Sequence, residues 1–369
     1  MTIVHCLFTM RTGGAQMLTV DMLNVLCRHH RVALIVVNND YDEALLRQLD
    51  QRVAVHCLNR QEGSRNPLPA LHLNLLLARL RPAVIHCHER RMIRLIKYKR
   101  ARTVYTIHDV LIPTDTFHRY DALVAISDAV AADVRRRSDR PVDRVDNGIP
   151  VHRFARRTDY DLPATEPIRL VQISRLMHEK KGQDILIEAL AILIHQHNLT
   201  HLRLDFVGDG ASKAYLTKLA EARNVADYVT FVGERSRDWI AQHLAAYHVL
   251  VQPSRYEGFG LTVLEGFAAG LPVVASDLEG PAEIMRPVAP EALFAPERPE
   301  ACAAVLHALV DAYRTGQIEA KTRQSYERVR QHFSIEATVR AYEAIYRRLT
   351  EDGRYAARPT GAVPYNVQS

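Results

Sequence analysis

A repeating rhythm constrains this chain more than any other feature. Short, unbroken apolar runs recur at 2–8, 32–37, 54–58, 83–88, 103–108 and 122–127, and longer stretches with helical spacing, such as 15–28 and 68–80, lie between most of them. A strand that is apolar on both faces must be covered on both, so the pattern predicts parallel sheets flanked by helices. A second series, at 169–174, 203–207, 229–232, 249–252 and 273–276, follows the polar, proline-containing stretch 150–167. The 369 residues are too many for one ordinary core. The expected architecture is α/β: two Rossmann-like, doubly wound parallel-sheet domains, at 1–155 and 165–333, facing across a cleft. Helices are expected at 299–331 and 335–350, with the segment 334–350 packing back toward the N-terminal domain. The tail 351–369 has Gly, Pro and polar residues without periodicity and is expected to be disordered. Ligands of such sheets bind beyond the carboxyl ends of the strands.

Several classes are disfavoured. There is no run of 18 apolar residues, so no membrane-spanning helix is expected. The first apolar run has no basic stretch before it and soon meets a Gly pair, which suits a buried strand better than a signal peptide. Cys6, Cys27, Cys57, Cys87 and Cys302 are odd in number and form no C-x-x-C pair, as expected for free thiols in a reducing cytoplasm. Residues 1–150 hold 22 Lys/Arg against 15 Asp/Glu, and the remainder 26 against 27. All of the excess positive charge therefore sits in the first half, which suggests an acidic partner for that half alone.

Three stretches carry chemistry. In the first, a strand ends at Ser254, the turn Arg255-Tyr256-Glu257-Gly258-Phe259 follows, and a helix is expected to open near Gly260-Leu261-Thr262 and to carry Glu265, eight positions and about two helical turns past Glu257. Main-chain amides at a helix N-terminus attract phosphate, and carboxylates suit sugar hydroxyls. In the second, Ser174-Arg175 ends a strand and Lys180-Lys181-Gly182 follows. Arg offers a phosphate a two-pronged donor and Lys a point charge, so Arg175 and Lys181 can hold one diphosphate together. In the third, Gly13-Gly14 follows the first strand and can offer amides to a phosphate, although G-x-G-x-x-G is absent.

The string from Glu257 to Glu265, followed by Ala-Ala-Gly-Leu-Pro-Val-Val-Ala-Ser-Asp, resembles the E-x7-E signature of family-4 glycosyltransferases, which have the GT-B fold. Arg175 to Gly182 is similar to that family's R-x5-K-G segment. The resemblance spans roughly residues 1–350. It implies a retaining glycosyltransferase that uses a nucleoside diphosphate sugar, UDP-sugar first and GDP-sugar next. Glu257 would contact the donor sugar and Glu265 the ribose. Arg175 and Lys181 would offset charge on the pyrophosphate. Gly13 and Gly14 would lie in a loop over the donor phosphate, and Gly208, Phe231 and Arg235 in donor-side loops, the last two near the base. Phe259, Gly260, Leu261 and Thr262 would complete the donor site. His108, ending the strand Thr106-Ile107-His108-Asp109, would sit near the reacting carbon, with Asp109 beside it. His86 and His88 could border the acceptor. The same resemblance implies no cofactor and no metal. No spacing marks a zinc site among His86, His88 and His108.

The segment 90–102 reads RRMIRLIKYKRAR, with seven basic residues (Arg90, Arg91, Arg94, Lys97, Lys99, Arg100 and Arg102), no acidic ones, and interleaved apolar residues. As a basic amphipathic helix it would dock on an anionic membrane surface. That implies a cytoplasmic protein peripheral on the inner membrane, acting on a glycan or lipid-linked acceptor in cell-surface polysaccharide or lipopolysaccharide synthesis. No nucleic-acid motif is present. Two alternatives stay open: a sugar-nucleotide epimerase or hydrolase of the same architecture, and a non-catalytic nucleotide-sugar-binding subunit.

Overall fold

The computed structural model describes residues 1–11, 13–162 and 166–351. Thr12, part of the stretch before the Gly pair, lies outside them, as do 163–165 in the expected linker and 352–369 in the expected tail. The chain divides into two compact units, Met1–Asp146 together with the segment from Thr338 on, and Asn147–Ala337. Residues that the sequence assigns to a linker are packed with the second unit. There Ala155 N–H donates to Ala241 O and Arg157 N–H to Ala269 O, each at 2.8 Å.

The first unit is built on seven strands: β1 (Thr2–Leu7), β2 (Arg31–Asn38), β3 (Val53–Arg60), β4 (Val84–Cys87), β5 (Arg102–Ile107), β6 (Ala122–Ala125) and β7 (Val142–Arg144). Their order is β3-β2-β1-β4-β5-β6-β7, parallel throughout. The second unit has β8 (Ile168–Ile173), β9 (Leu202–Val207), β10 (Val229–Gly233), β11 (Val249–Gln252), β12 (Val273–Ser276) and β13 (Leu293–Phe294). They run in the order β10-β9-β8-β11-β12-β13, again parallel. Each central strand is buried almost end to end, which is why the apolar runs are continuous rather than alternating. In each sheet the order reverses once, between β1 and β4 and between β8 and β11, and the crevice beyond the carboxyl ends at such a reversal is where ligands of this architecture bind.

The closing helix, Ile335–Glu351, is held by the first unit from Thr338 on: Thr338 Oγ1 donates to Asp146 O at 2.8 Å, and Tyr342 and Tyr346 are fully buried. Where one helix is expected at 299–331 there are two, Pro299–Arg314 and Ile318–His332. Between them Gly316 sits at φ +68°, a left-handed position that ends helices.

The expected basic helix at 90–102 does not form, which corrects the sequence reading. Only Met92–Arg94 coils, as a single 3₁₀ turn. Met92, Ile93 and Ile96 are pulled into the core. The Asn74 amide captures the backbone nearby, donating to Leu95 O at 2.9 Å and accepting from Lys97 N at 2.6 Å and Tyr98 N at 3.1 Å. These bonds take the place of a helical ladder. Asp115 pairs with Arg90 and Arg94, and Asp121 pairs with Arg102. Arg91, Lys97, Lys99 and Arg100 have no ion-pair partner among the described residues, and all four are exposed.

Candidate functional site

In the second unit the turns after β8 and β11 are laced together at the point where strand order reverses. The Arg255 guanidinium grips both oxygens of Asp184, at 2.8 and 2.9 Å, and donates to His178 O at 2.7 Å. Arg255 N and Tyr256 N both donate to Lys180 O. The approach is so close that a Cβ on Gly182 would stand 1.9 Å from Pro253 O, and Gly182 also has φ +64°. Glycine is therefore required there by the contact itself. The effect is to bring Lys181 and Glu257, 76 residues apart, to 2.7 Å between Nζ and Oε2. Gln252 Nε2 donates to the same carboxylate oxygen at 2.9 Å.

Arg175 lies two residues past the end of β8. Its carbonyl is held by Gln183 Nε2 at 3.0 Å, while its guanidinium is exposed and has no partner among the described residues. The helix Leu261–Ala268 begins after Gly260, so the amides of Leu261 and Thr262 are among those a helix cannot satisfy internally. Phe259 is buried, and Glu265 lies half-buried one turn on. Around the same strand ends, Gln172 Oε1, Gln183 Oε1, Gln252 Oε1 and Ser254 Oγ are buried without hydrogen-bond partners among the described residues. Each such atom costs on the order of 1–3 kcal/mol, and costs of that kind are retained mainly where a function needs the group.

The other expected donor-side residues lie on β10 and in the turns after β9 and β10. Phe231 stacks on Phe206 with centroids 5.4 Å apart. Arg235 is exposed, its guanidinium 5.5 Å from the Trp239 ring centre. Gly208 has a packing requirement of its own, because at φ +137° its added Cβ would meet Ser174 O at 2.0 Å.

In the first unit, Gly13 has extended backbone and precedes the helix Gly14–Leu26 without a side-chain cap, so the first amides of that helix are also unsatisfied internally. Beyond β4 and β5 the chemistry is uncharged. His108 is half-buried after β5, and burial lowers it to about 4. His88 Nδ1 lies 3.1 Å from His108 Nε2, and His5 Nδ1 lies 3.0 Å from His88 Nε2. Burial holds His5 down at about 3 and His88 well below its ordinary value. His86 is fully buried, and its two ring nitrogens meet Tyr346 Oη and Thr106 Oγ1, each at 2.6 Å. Nitrogens of His5, His86 and His88 come within 4.8 Å of one another. The His86 and His88 rings stack with planes 20° apart, however, so their lone pairs run alongside each other rather than converging on one ion.

Two residues at this place escape sequence reasoning. His5 sits inside an apolar run that reads as pure core. Glu89, just past β4, accepts from Phe8 N at 3.2 Å through Oε1, its Oε2 is buried without a hydrogen-bond partner among the described residues, and burial raises its carboxyl to about 8. The only available signal was the cluster His86-Cys87-His88-Glu89 at a strand end.

With this geometry in place, the known proteins that resemble the chain can be compared. A family model described as Glycosyltransferase Family 4 matches residues 12–153, and one described as Glycosyl transferases group 1 matches 167–312. The chain belongs to glycosyltransferase family 4. Among curated members, it is 30% identical over 171 residues to the alpha-D-kanosaminyltransferase of Streptomyces kanamyceticus, covering 43% of each chain. It is 37% identical over 130 residues to the lipopolysaccharide core biosynthesis glycosyltransferase LpsE of Rhizobium meliloti, covering 35% of each. The match thus spans less than half the length of these relatives. Among solved structures, Anabaena HepE in complex with UDP and glucose superposes with a TM-score of 0.75 at 19% identity, covering 93% of this chain and 98% of that one. The family-4 chain has the GT-B fold.

Proposed function

We propose that this protein transfers a sugar from a nucleoside diphosphate donor to a glycan or lipid-linked acceptor, with retention at the anomeric carbon and without a metal ion. The observation that carries the reading is the Lys181–Glu257 pair beside the unpartnered Arg175 guanidinium and the open amides of Leu261 and Thr262. When the bond between sugar and diphosphate breaks, negative charge gathers on the leaving phosphate. Fixed cations and amides aimed at that charge stabilise the transition state most. Lys181 is kept in place by Glu257 until a diphosphate competes for it, and Glu257 is then free to accept from a sugar hydroxyl. Glu265 is assigned the ribose. UDP is the favoured nucleotide, because HepE holds it on the same fold. Retention follows from front-face displacement, in which the leaving phosphate takes the acceptor proton. A role in lipopolysaccharide or related polysaccharide synthesis is supported by the likeness to LpsE.

The acceptor partner we favour is lipid-linked, reached from an anionic membrane surface. Arg91, Lys97, Lys99 and Arg100 offer charge that is unpaired among the described residues. Asn74 ties their segment to the helix Leu68–Leu80, whose Leu68, Leu71 and Leu75 are each more than half exposed. Leucines beside cations suit an interface better than water. No helix among the described residues is long and apolar enough to cross a membrane.

A panel of nucleotide sugars tests the function. Transfer or slow hydrolysis from one UDP-sugar, undiminished by EDTA, is the expected result. Epimerised sugar, or nucleotide binding with neither transfer nor hydrolysis, would favour the epimerase or non-catalytic readings instead. Co-sedimentation with anionic but not neutral vesicles, reduced by Leu71→Ser with Leu75→Ser, is expected for the membrane contact.

A further inference from the structure

His5 lies inside β1, and His88 and His108 directly follow β4 and β5; β1 and β4 flank the reversal in the first sheet, and β5 is the next strand. Their nitrogens form two contacts in series, His5 Nδ1 to His88 Nε2 at 3.0 Å and His88 Nδ1 to His108 Nε2 at 3.1 Å. Burial keeps all three rings neutral near pH 7. A neutral imidazole carries one N–H and one bare nitrogen. Two contacts through three such rings therefore admit only two arrangements, with every proton on Nδ1 or every proton on Nε2.

The two arrangements differ at the ends of the chain. With protons on Nε2, His5 would bury an N–H that has no acceptor, since His5 Nε2 is buried without a partner among the described residues. With protons on Nδ1, that atom is a bare lone pair, and a buried orphan donor is the rarer and costlier of the two. His86, stacked on His88 at 4.5 Å, supplies no alternative partner, because Tyr346 and Thr106 occupy its nitrogens. The other end is His108 Nδ1, which takes no partner among the described residues and belongs to a half-buried side chain.

We propose that His5 and His88 are positioning residues that hold His108 as the Nδ1–H tautomer, so that it donates a hydrogen bond to an oxygen of the bound sugar and does not act as a proton acceptor. The proposal rests on the reading of His108 as a substrate-facing group, and it adds the two buried histidines that decide which atom His108 presents. Free imidazole side chains favour the opposite, Nε2–H form, so the effect of the chain can be measured.

The test is long-range ¹H–¹⁵N correlation on the full chain labelled at histidine ring nitrogens, near pH 7.5, with His108 assigned through His108→Gln. Protonated Nδ1 and bare Nε2 on His108 are expected. In His88→Leu the signal should move to the Nε2–H pattern. His88→Asn, whose amide nitrogen can stand in for Nδ1 and donate, should restore the native pattern, and it should also restore kcat, which His88→Leu lowers about ten-fold. An Nε2–H or doubly protonated His108 in the native protein would overturn the proposal. So would a folded His88→Leu with an unchanged His108, or stoichiometric zinc taking up the ring lone pairs. If His88→Leu does not fold, the native spectrum alone decides the direction. The ring signals do not depend on turnover. A chain with Nδ1–H on His108 and no transfer with any donor would therefore sink the transferase reading and leave the histidine chain standing.

Discussion

The crevice end of the first sheet and that of the second occupy the same address in the same strand order, yet they treat charge in opposite ways. Beyond β8 and β11, charges are kept: Lys181 faces Glu257, Arg255 grips Asp184, and Arg175 stands exposed. Within β1 and just past β4 and β5, charges are suppressed: His5, His88 and His108 are held neutral by burial, and so is the Glu89 carboxyl near pH 7. A doubly wound sheet fixes where a ligand can lie, and the side chains at the strand ends decide what kind of ligand part each sheet can receive. Under the proposed function, the second would receive a diphosphate, and the first offers uncharged groups to a sugar.

The sharpest way to break this contrast is at Gly182, where both chain turns of the charged site meet. Gly182→Ala would place a methyl 1.9 Å from Pro253 O at a left-handed φ. Separation of the two turns, a loss of about 3 kcal/mol or more in denaturant unfolding, and loss of nucleotide binding are expected. Native-like stability would show that the lacing between the turns is dispensable.

The suppressed charges make opposite pH demands, which urea titrations across pH can resolve. Unfolded, the buried imidazoles protonate as the pH falls through about 6.5; folded, His108 resists to about 4 and His5 to about 3. Stability present above pH 6.5 is thus lost progressively on acidification, at up to about 1.4 kcal/mol per pH unit for each ring. Glu89 runs the other way. Its folded value of about 8 lies above the ordinary 4.5, so it costs nothing below pH 4.5 and progressively more up to about pH 8. Glu89→Gln should raise Tm at pH 8 and leave it unchanged at pH 4.5. Hydrogen exchange at pH 5 should show β1, β4 and β5 losing protection before β8 and β11. A uniform loss would dissolve the contrast.

The smallest effect belongs to Glu265. Glu265→Ala is expected to weaken UDP binding about ten-fold by calorimetry, with little change in kcat at saturating donor, as for a group that holds the ribose in both ground and transition states.

Most of the fold was legible because continuous apolar strands announce a parallel sheet, and all eleven expected strands form. The strands that escaped, β7 and β13, have three and two residues and no period to detect. The 299–331 helix was over-extended, although Gly316 marked the break. At 90–102, counting charges suggested a helix. Burial of Met92, Ile93 and Ile96, and the reach of Asn74 from another element, decided otherwise. The charged site was readable because its residues fall in compact motifs. The pairing of Lys181 with Glu257 was not, since it depends on the approach of two distant turns. The histidine chain was hidden for a related reason: three rings on three strands meet only once the strand order is known.

The central claim is that Lys181 and its surroundings hold a diphosphate without a metal. Isothermal titration of UDP in EDTA, with native protein and Lys181→Ala compared, tests it directly. The account predicts binding by the native protein in EDTA and a loss in the variant of about 100-fold, near 3 kcal/mol, as expected for removal of a charged hydrogen-bond donor from a phosphate site. Binding by the native protein only when magnesium is added, or equal affinity in the variant, would contradict it.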